Sequence, residues 1–109
     1  MKTRVTLDDF MQAFKDRGRE SQFSRPALYG LFNYLERYEQ DTGEEIELDV
    51  IALCCDYTEM EYSDISHEYR IDVSDCEDVE EARERVLDHL GNHSQVVWYD
   101  DDTVLFANF

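Results

Sequence analysis

Three cysteines and three histidines are the side chains in this 109-residue chain with the greatest reach for nucleophilic or metal chemistry. His89 and His93 stand four residues apart with Cys76 upstream, a spacing that would set two imidazoles on one helix face and suit zinc. Gly91-Asn92 falls between them and predicts a helix end, which would separate the pair. Cys54 and Cys55 are adjacent in an apolar run. On a strand their side chains would point to opposite faces, so they are expected to be small core residues rather than one site. His67 has no cysteine near it and reads as a surface histidine. There is no phosphate loop, no G-x-S-x-G and no dinucleotide fingerprint. Asp100-Asp101-Asp102 lacks the glycine and the twelfth-position glutamate of a calcium loop. No catalytic residue, metal or cofactor is expected, and the chain does not read as an enzyme.

The carboxylates act as a set. Ten Lys and Arg face 27 Asp and Glu, a formal charge of −17. Residues 1–43 carry seven bases and seven acids, so the entire excess belongs to residues 44–109, with three bases and twenty acids. Glu45, Glu47 and Asp49 alternate with Ile46, Leu48 and Val50, and on a strand such alternate positions stand about 6.7 Å apart on one side. Successive phosphates of one B-DNA strand rise about 3.4 Å while turning about the axis, which puts them roughly 6.5–7 Å apart through space. Glu77, Glu80, Glu81, Glu84 and Asp88 form a second row at helical spacing. Glu59, Glu61 and the three aspartates at 100–102 complete the candidate partner-binding set. Such a charge excludes direct binding to nucleic acid or an anionic membrane and points to a basic protein surface. It also exceeds the magnitude of about 2–8 that solubility needs in a small domain.

The elements that must hold these residues follow from local signals. Thr6 followed by Leu7, Asp8 and Asp9 reads as a helix cap with acids in the first turn, and Val5 with Phe10 forms a hydrophobic staple. Leu7, Phe10, Met11 and Phe14 give a helix over residues 6–17 its buried stripe, and Gly18 stops it. Ser24, Pro26 and the Phe23/Leu28 staple open a second helix over 25–41, closed by Gly43. A strand is expected from Glu45 through Cys55, its second half covered on both faces and central in the sheet. Within 56–70, Ser63 to Ser66 suits a short helical turn, and residues 69–73 alternate weakly as an edge strand or connector. A third helix over 77–90 would bury Val79, Ala82, Val86, Leu87 and Leu90, with a capping box from Ser74 to Glu77 and with Asp75 and Asp78 as competing caps. Residues 95–99 and 103–108 form a hairpin around the acidic tip.

The order α-α-β-(α/β)-α-β-β predicts one α+β domain, a small antiparallel sheet with helices packed mainly on one face. Seven Tyr, six Phe and one Trp supply enough bulk for a core despite the charge, which sets the chain apart from acidic disordered tails. No apolar run reaches membrane-spanning or signal-peptide length, so a soluble protein of a reducing, cytoplasmic compartment is expected.

A tyrosine- and leucine-rich helix leading into Glu45-Ile46-Glu47-Leu48-Asp49-Val50-Ile51-Ala52-Leu53-Cys54-Cys55-Asp56, with a closing hairpin, resembles small acidic phage and prophage proteins. The resemblance covers residues 28–56 and the hairpin, and it is one of class. It implies an anti-defence inhibitor of the anti-CRISPR or antirestriction DNA-mimic type, acting in the bacterial host cytoplasm on a CRISPR effector or restriction enzyme. It transfers no individual binding residue. An alternative from another class is an adaptor or antitoxin-like interaction domain that uses Tyr29, Tyr34, Tyr57, Tyr62 or Trp98 as aromatic anchors.

Overall fold

The computed structural model describes residues 5–109. Helix α1 (Leu7–Asp16) begins at the expected cap, where Thr6 Oγ1 accepts from the Asp9 N–H at 3.2 Å and the Asp9 carboxylate accepts from the Thr6 N–H at 3.1 Å. Two orphan donors of the first turn are thereby satisfied reciprocally. Helix α2 (Arg25–Thr42) starts on Ser24 and stops at Gly43, whose φ of 70° lies in the left-handed region open to glycine. Phe10, Phe14 and Phe23 pack against Leu28, Leu31 and Leu35 in the first core cluster.

The strand expected over residues 45–55 does not form. Residues 43–49 run without regular secondary structure, and helix α3 (Val50–Asp56) follows. The alternation is real, because Ile46 and Leu48 pack on the first cluster while Glu45, Glu47 and Asp49 are exposed. Alternation reports one-sided burial and cannot report a partner strand. Asp49, in extended backbone, turns its carboxylate onto the Ala52 N–H at 3.1 Å and starts the helix. Consequently Cys55 and Ile51 are exposed, and only Cys54 of the adjacent pair packs on the core.

Strand β1 (Tyr57–Glu61) lies instead in the segment with the weakest local signal, and helix α4 (Tyr62–Glu68) follows it directly. Residues 69–73 form no strand: Arg70 takes a φ of 55° and the Ile71 N–H reaches back to the Ser66 carbonyl at 2.8 Å, a left-handed closure of α4. Helix α5 (Val79–His93) is capped by Asp78 alone and runs through Gly91 and Asn92 to His93. Val79, expected inside, is 64% exposed. Strands β2 (Val96–Tyr99) and β3 (Thr103–Ala107) make the expected hairpin.

The class is α+β as expected, with one antiparallel sheet ordered β1-β3-β2. Its layering differs from the expectation of helices mainly on one face. Leu105 at the centre of β3 packs into the α1–α3 cluster, whereas its neighbours Val104 and Phe106 pack with Ile65, Val86 and Leu90 of α4 and α5. Alternate residues of one strand thus serve two cores, one per face. The result is elongated, 48 × 30 × 20 Å, with a radius of gyration of 15.1 Å. A compact chain of this length gives about 13 Å.

Candidate functional site: an acidic face and the cleft beside helix α5

The register Glu61↔Thr103 sets the end of β1 beside the hairpin tip at 100–102. Asp100 shapes that tip, its carboxylate accepting from the Asp102 and Thr103 N–H groups at 2.9 and 2.8 Å. The Tyr62 hydroxyl donates to the Asp100 carbonyl at 2.7 Å, fastening α4 to the tip. Burial pushes that hydroxyl above its ordinary pKa, opposed by Arg83, so it stays a neutral donor.

A cleft of about 590 Å³ opens between α4, α5 and this tip. Its floor is apolar, made by Val73, Val79, Ala82 and Val86. Its rim carries Glu61, Asp101 and Asp102. Arg83 stands at the edge, with its guanidinium carbon 5.7 Å from the centre of the Tyr62 ring and a nitrogen 3.9 Å from the Asp101 carboxylate. Thus three acids from two separate stretches of sequence meet at one concavity.

Helix α5 adds Glu80, Glu84 and Asp88, all exposed and recurring every four residues. Four residues of helix rise about 6 Å, an interval close to that of backbone phosphates. Glu84 and Asp88 border a second groove with Leu87 and Tyr99 on the other flank of the helix.

Other acids do not belong to this face. Glu59 is half-buried and accepts three hydrogen bonds, from the Ser24 N–H and Ser24 hydroxyl at 2.7 Å each and from the Thr103 hydroxyl at 2.8 Å. It is a structural carboxylate of β1, held against the start of α2 by these three bonds. Glu81 is half-buried, accepts from the Glu77 N–H at 3.0 Å and lies 3.9 Å from Arg85. Arg85 also binds the Asp75 carboxylate and donates to the Asp72 carbonyl at 2.9 Å. The hydrogen bond from Arg85 holds the Asp75 carboxyl below its ordinary range, and those from Ser74 do the same for Asp72. Glu45, Glu47 and Asp49 are exposed against the first core cluster, remote in topology from α5, and Arg17 shares a hollow with Glu47 and Asp49. Sequence reasoning missed Arg83 and the apolar floor; the signal available was Val79 and Ala82 on the side of α5 facing a segment rich in serine.

Of the five aromatic anchors considered, Tyr29 is 52% exposed, while Tyr34, Tyr57, Tyr62 and Trp98 are half-buried. Trp98 lies against Gly30, and Tyr34 meets Tyr57 edge-on at 6.4 Å between ring centres. His89 and His93 do come together, 4.5 Å between ring centres, because the helix continues through Gly91, and His93 stacks on Phe109 rather than toward Cys76. Among the described residues no three His, Cys, Asp or Glu side chains converge to hold a metal ion. Burial raises the Cys54 thiol pKa, with Arg19 opposing it. Among the described residues no helix is long and apolar enough to cross a membrane. Comparison with protein-family models, with curated proteins and with solved structures gave no match.

Proposed function

We propose that this protein is a non-catalytic acidic inhibitor that occupies the basic nucleic-acid-binding surface of a bacterial defence complex, a CRISPR effector or restriction enzyme, in the host cytoplasm. The observation that carries the reading is the exposed stripe Glu80, Glu84 and Asp88 on α5, the helix whose other flank lines the acid-rimmed cleft, in a region where two of the three bases, Arg83 and Arg85, are already engaged internally. Carboxylates at phosphate-like intervals offer a basic channel the charge pattern it is built to meet, with fast association at low salt. The elongated body spreads that charge along a rod rather than concentrating it on a sphere.

The test is capture of the partner at 50 and 200 mM salt, followed by elution with duplex DNA. Binding should fall steeply between the two salts, and DNA should displace the protein. The triple change Glu80→Lys, Glu84→Lys and Asp88→Lys should weaken binding far more than Glu59→Lys weakens it in the fraction that remains folded. Tight capture that ignores salt, DNA and the α5 reversals removes this reading.

A further inference from the structure

We propose that the cleft between α4, α5 and the hairpin tip is a docking pocket for an arginine side chain of the partner protein. It has the two halves that such a side chain needs. Val73, Val79, Ala82 and Val86 give an apolar bed for the three-carbon stem, and Glu61, Asp101 and Asp102 give carboxylates at the mouth. Its volume of about 590 Å³ falls in the range of about 300–1,000 Å³ typical of ligand clefts, enough for the side chain and its flanking backbone.

The molecule itself shows the chemistry. Arg83 already rests its guanidinium over Tyr62 at 5.7 Å and reaches Asp101 at 3.9 Å, at the rim of the same cleft. Among the described residues no base pairs with Glu61 or Asp102, so two carboxylates remain for an incoming guanidinium. Val79, 64% exposed, marks the uncovered part of the floor. Charge complementarity selects a cation. The apolar bed selects one on an alkyl stem, and the planar fork of arginine can engage two separated carboxylates where a lysine ammonium is a point charge.

This inference rests on the proposed function only in drawing the arginine from a nucleic-acid-binding protein. Its test needs no such protein. The full chain, labelled with nitrogen-15, is titrated with acetyl-Gly-Arg-Gly-amide, with the isosteric citrulline peptide and with spermidine. The arginine peptide should shift the amides of Val79, Ala82, Glu61 and Asp102 saturably, and the citrulline peptide should not. Val79→Ser leaves the net charge unchanged and replaces an exposed residue, and it should weaken the peptide about fivefold to tenfold. Glu61→Gln with Asp102→Asn should weaken it further, whereas Glu45→Gln with Glu47→Gln, an equal loss of charge elsewhere, should not. Equal weakening by both pairs, indifference to Val79→Ser, or spermidine binding the cleft as tightly as the peptide overturns the assignment. Such a failure leaves the salt- and DNA-sensitive capture standing; failure of that capture with peptide binding intact removes the inhibitor reading alone.

Discussion

The Glu59 carboxylate grips Ser24 twice, accepting its backbone N–H and its hydroxyl at 2.7 Å each across 35 residues of sequence. The same hydroxyl accepts from the Ala27 N–H at 3.3 Å, so a β1 side chain fixes the residue that caps α2. A negative charge at a helix N-terminus is favourable in its own right. Replacing Glu59 with Ala leaves the Ser24 and Thr103 donors without their acceptor and should cost about 1–3 kcal/mol, seen as a lower midpoint in urea unfolding. An effect no larger than that of Glu45→Ala would mean that the clamp contributes nothing.

Two glycine-to-alanine changes should move stability in opposite directions. A Cβ on Gly30 would sit 2.5 Å from Trp98 Cδ1 and 2.6 Å from Trp98 Cβ, inside any van der Waals contact. Gly30→Ala must push the indole off α2, and overpacking of this kind costs about 1–3 kcal/mol despite the better helix propensity. Gly91 is helical and exposed, with nothing within 4 Å of an added Cβ, so Gly91→Ala should stabilise by about 0.4–1 kcal/mol. Thermal unfolding followed by Trp98 fluorescence reads both, and Gly30→Ala should also shift the folded-state emission.

Elements whose signals lie within one turn of helix or one hairpin were legible in the sequence. The Thr6 cap, the Ser24 cap with Pro26 and the Gly43 stop each act over a few residues, and each lies where the pattern put it. What was not legible depended on partners far along the chain. β1 pairs with β3 more than forty residues away, through Tyr57↔Ala107 to Glu61↔Thr103, and nothing in its own five residues announces it. Residues 45–49 show the converse, a strand-like alternation with no strand to pair with, ended by an aspartate that serves a helix. The candidate site divides likewise. The α5 stripe could be read from i, i+4 spacing, whereas the meeting of Glu61 with Asp101 and Asp102, and the engagement of Glu59 by Ser24 and Thr103, required the sheet register.

Acid should destabilise the protein through the Arg85 cluster. Arg85 lowers the Asp75 pKa and Ser74 lowers that of Asp72, so both groups bind protons less readily folded than unfolded. Stability from such a group is present above the unfolded aspartate value and is lost as pH falls through the depressed folded value. The stability difference between the native chain and Asp75→Asn should therefore be full at pH 7 and vanish below the ordinary aspartate range, about 3.9. Melting curves of the two proteins from pH 7 to pH 2 measure it; a gap that is flat in pH would show that Asp75 acts without its charge.

Cys55 should react before the other two cysteines. It is exposed on the outer side of α3, whereas Cys54 and Cys76 are half-buried and burial raises both of their thiol pKa values. Access favours Cys55, and the raised pKa values slow the other two thiols. Limited alkylation with iodoacetamide at pH 7.5, read by peptide mass spectrometry, should find Cys55 modified first. Faster labelling at Cys54 would mean that α3 opens away from the core.

Salt should separate repulsion within the fold from the proposed binding of a basic partner. Seventeen excess negative charges repel one another in the folded state, and screening shortens the reach of that repulsion from about 10 Å at 0.1 M to about 3 Å at 1 M. Screening also weakens the contacts of Arg83 and Arg85, but exposed ion pairs contribute little to stability, and those of Arg83 and Arg85 are few against the seventeen excess charges. The melting temperature should therefore rise with sodium chloride, over the same range in which the proposed capture of a basic partner should fall. Chloride is preferred to sulfate because sulfate strengthens apolar burial by itself. A melting temperature that stays flat while binding collapses would locate the electrostatics wholly at the interface, with the acids too far apart along the 48 Å body to strain the fold.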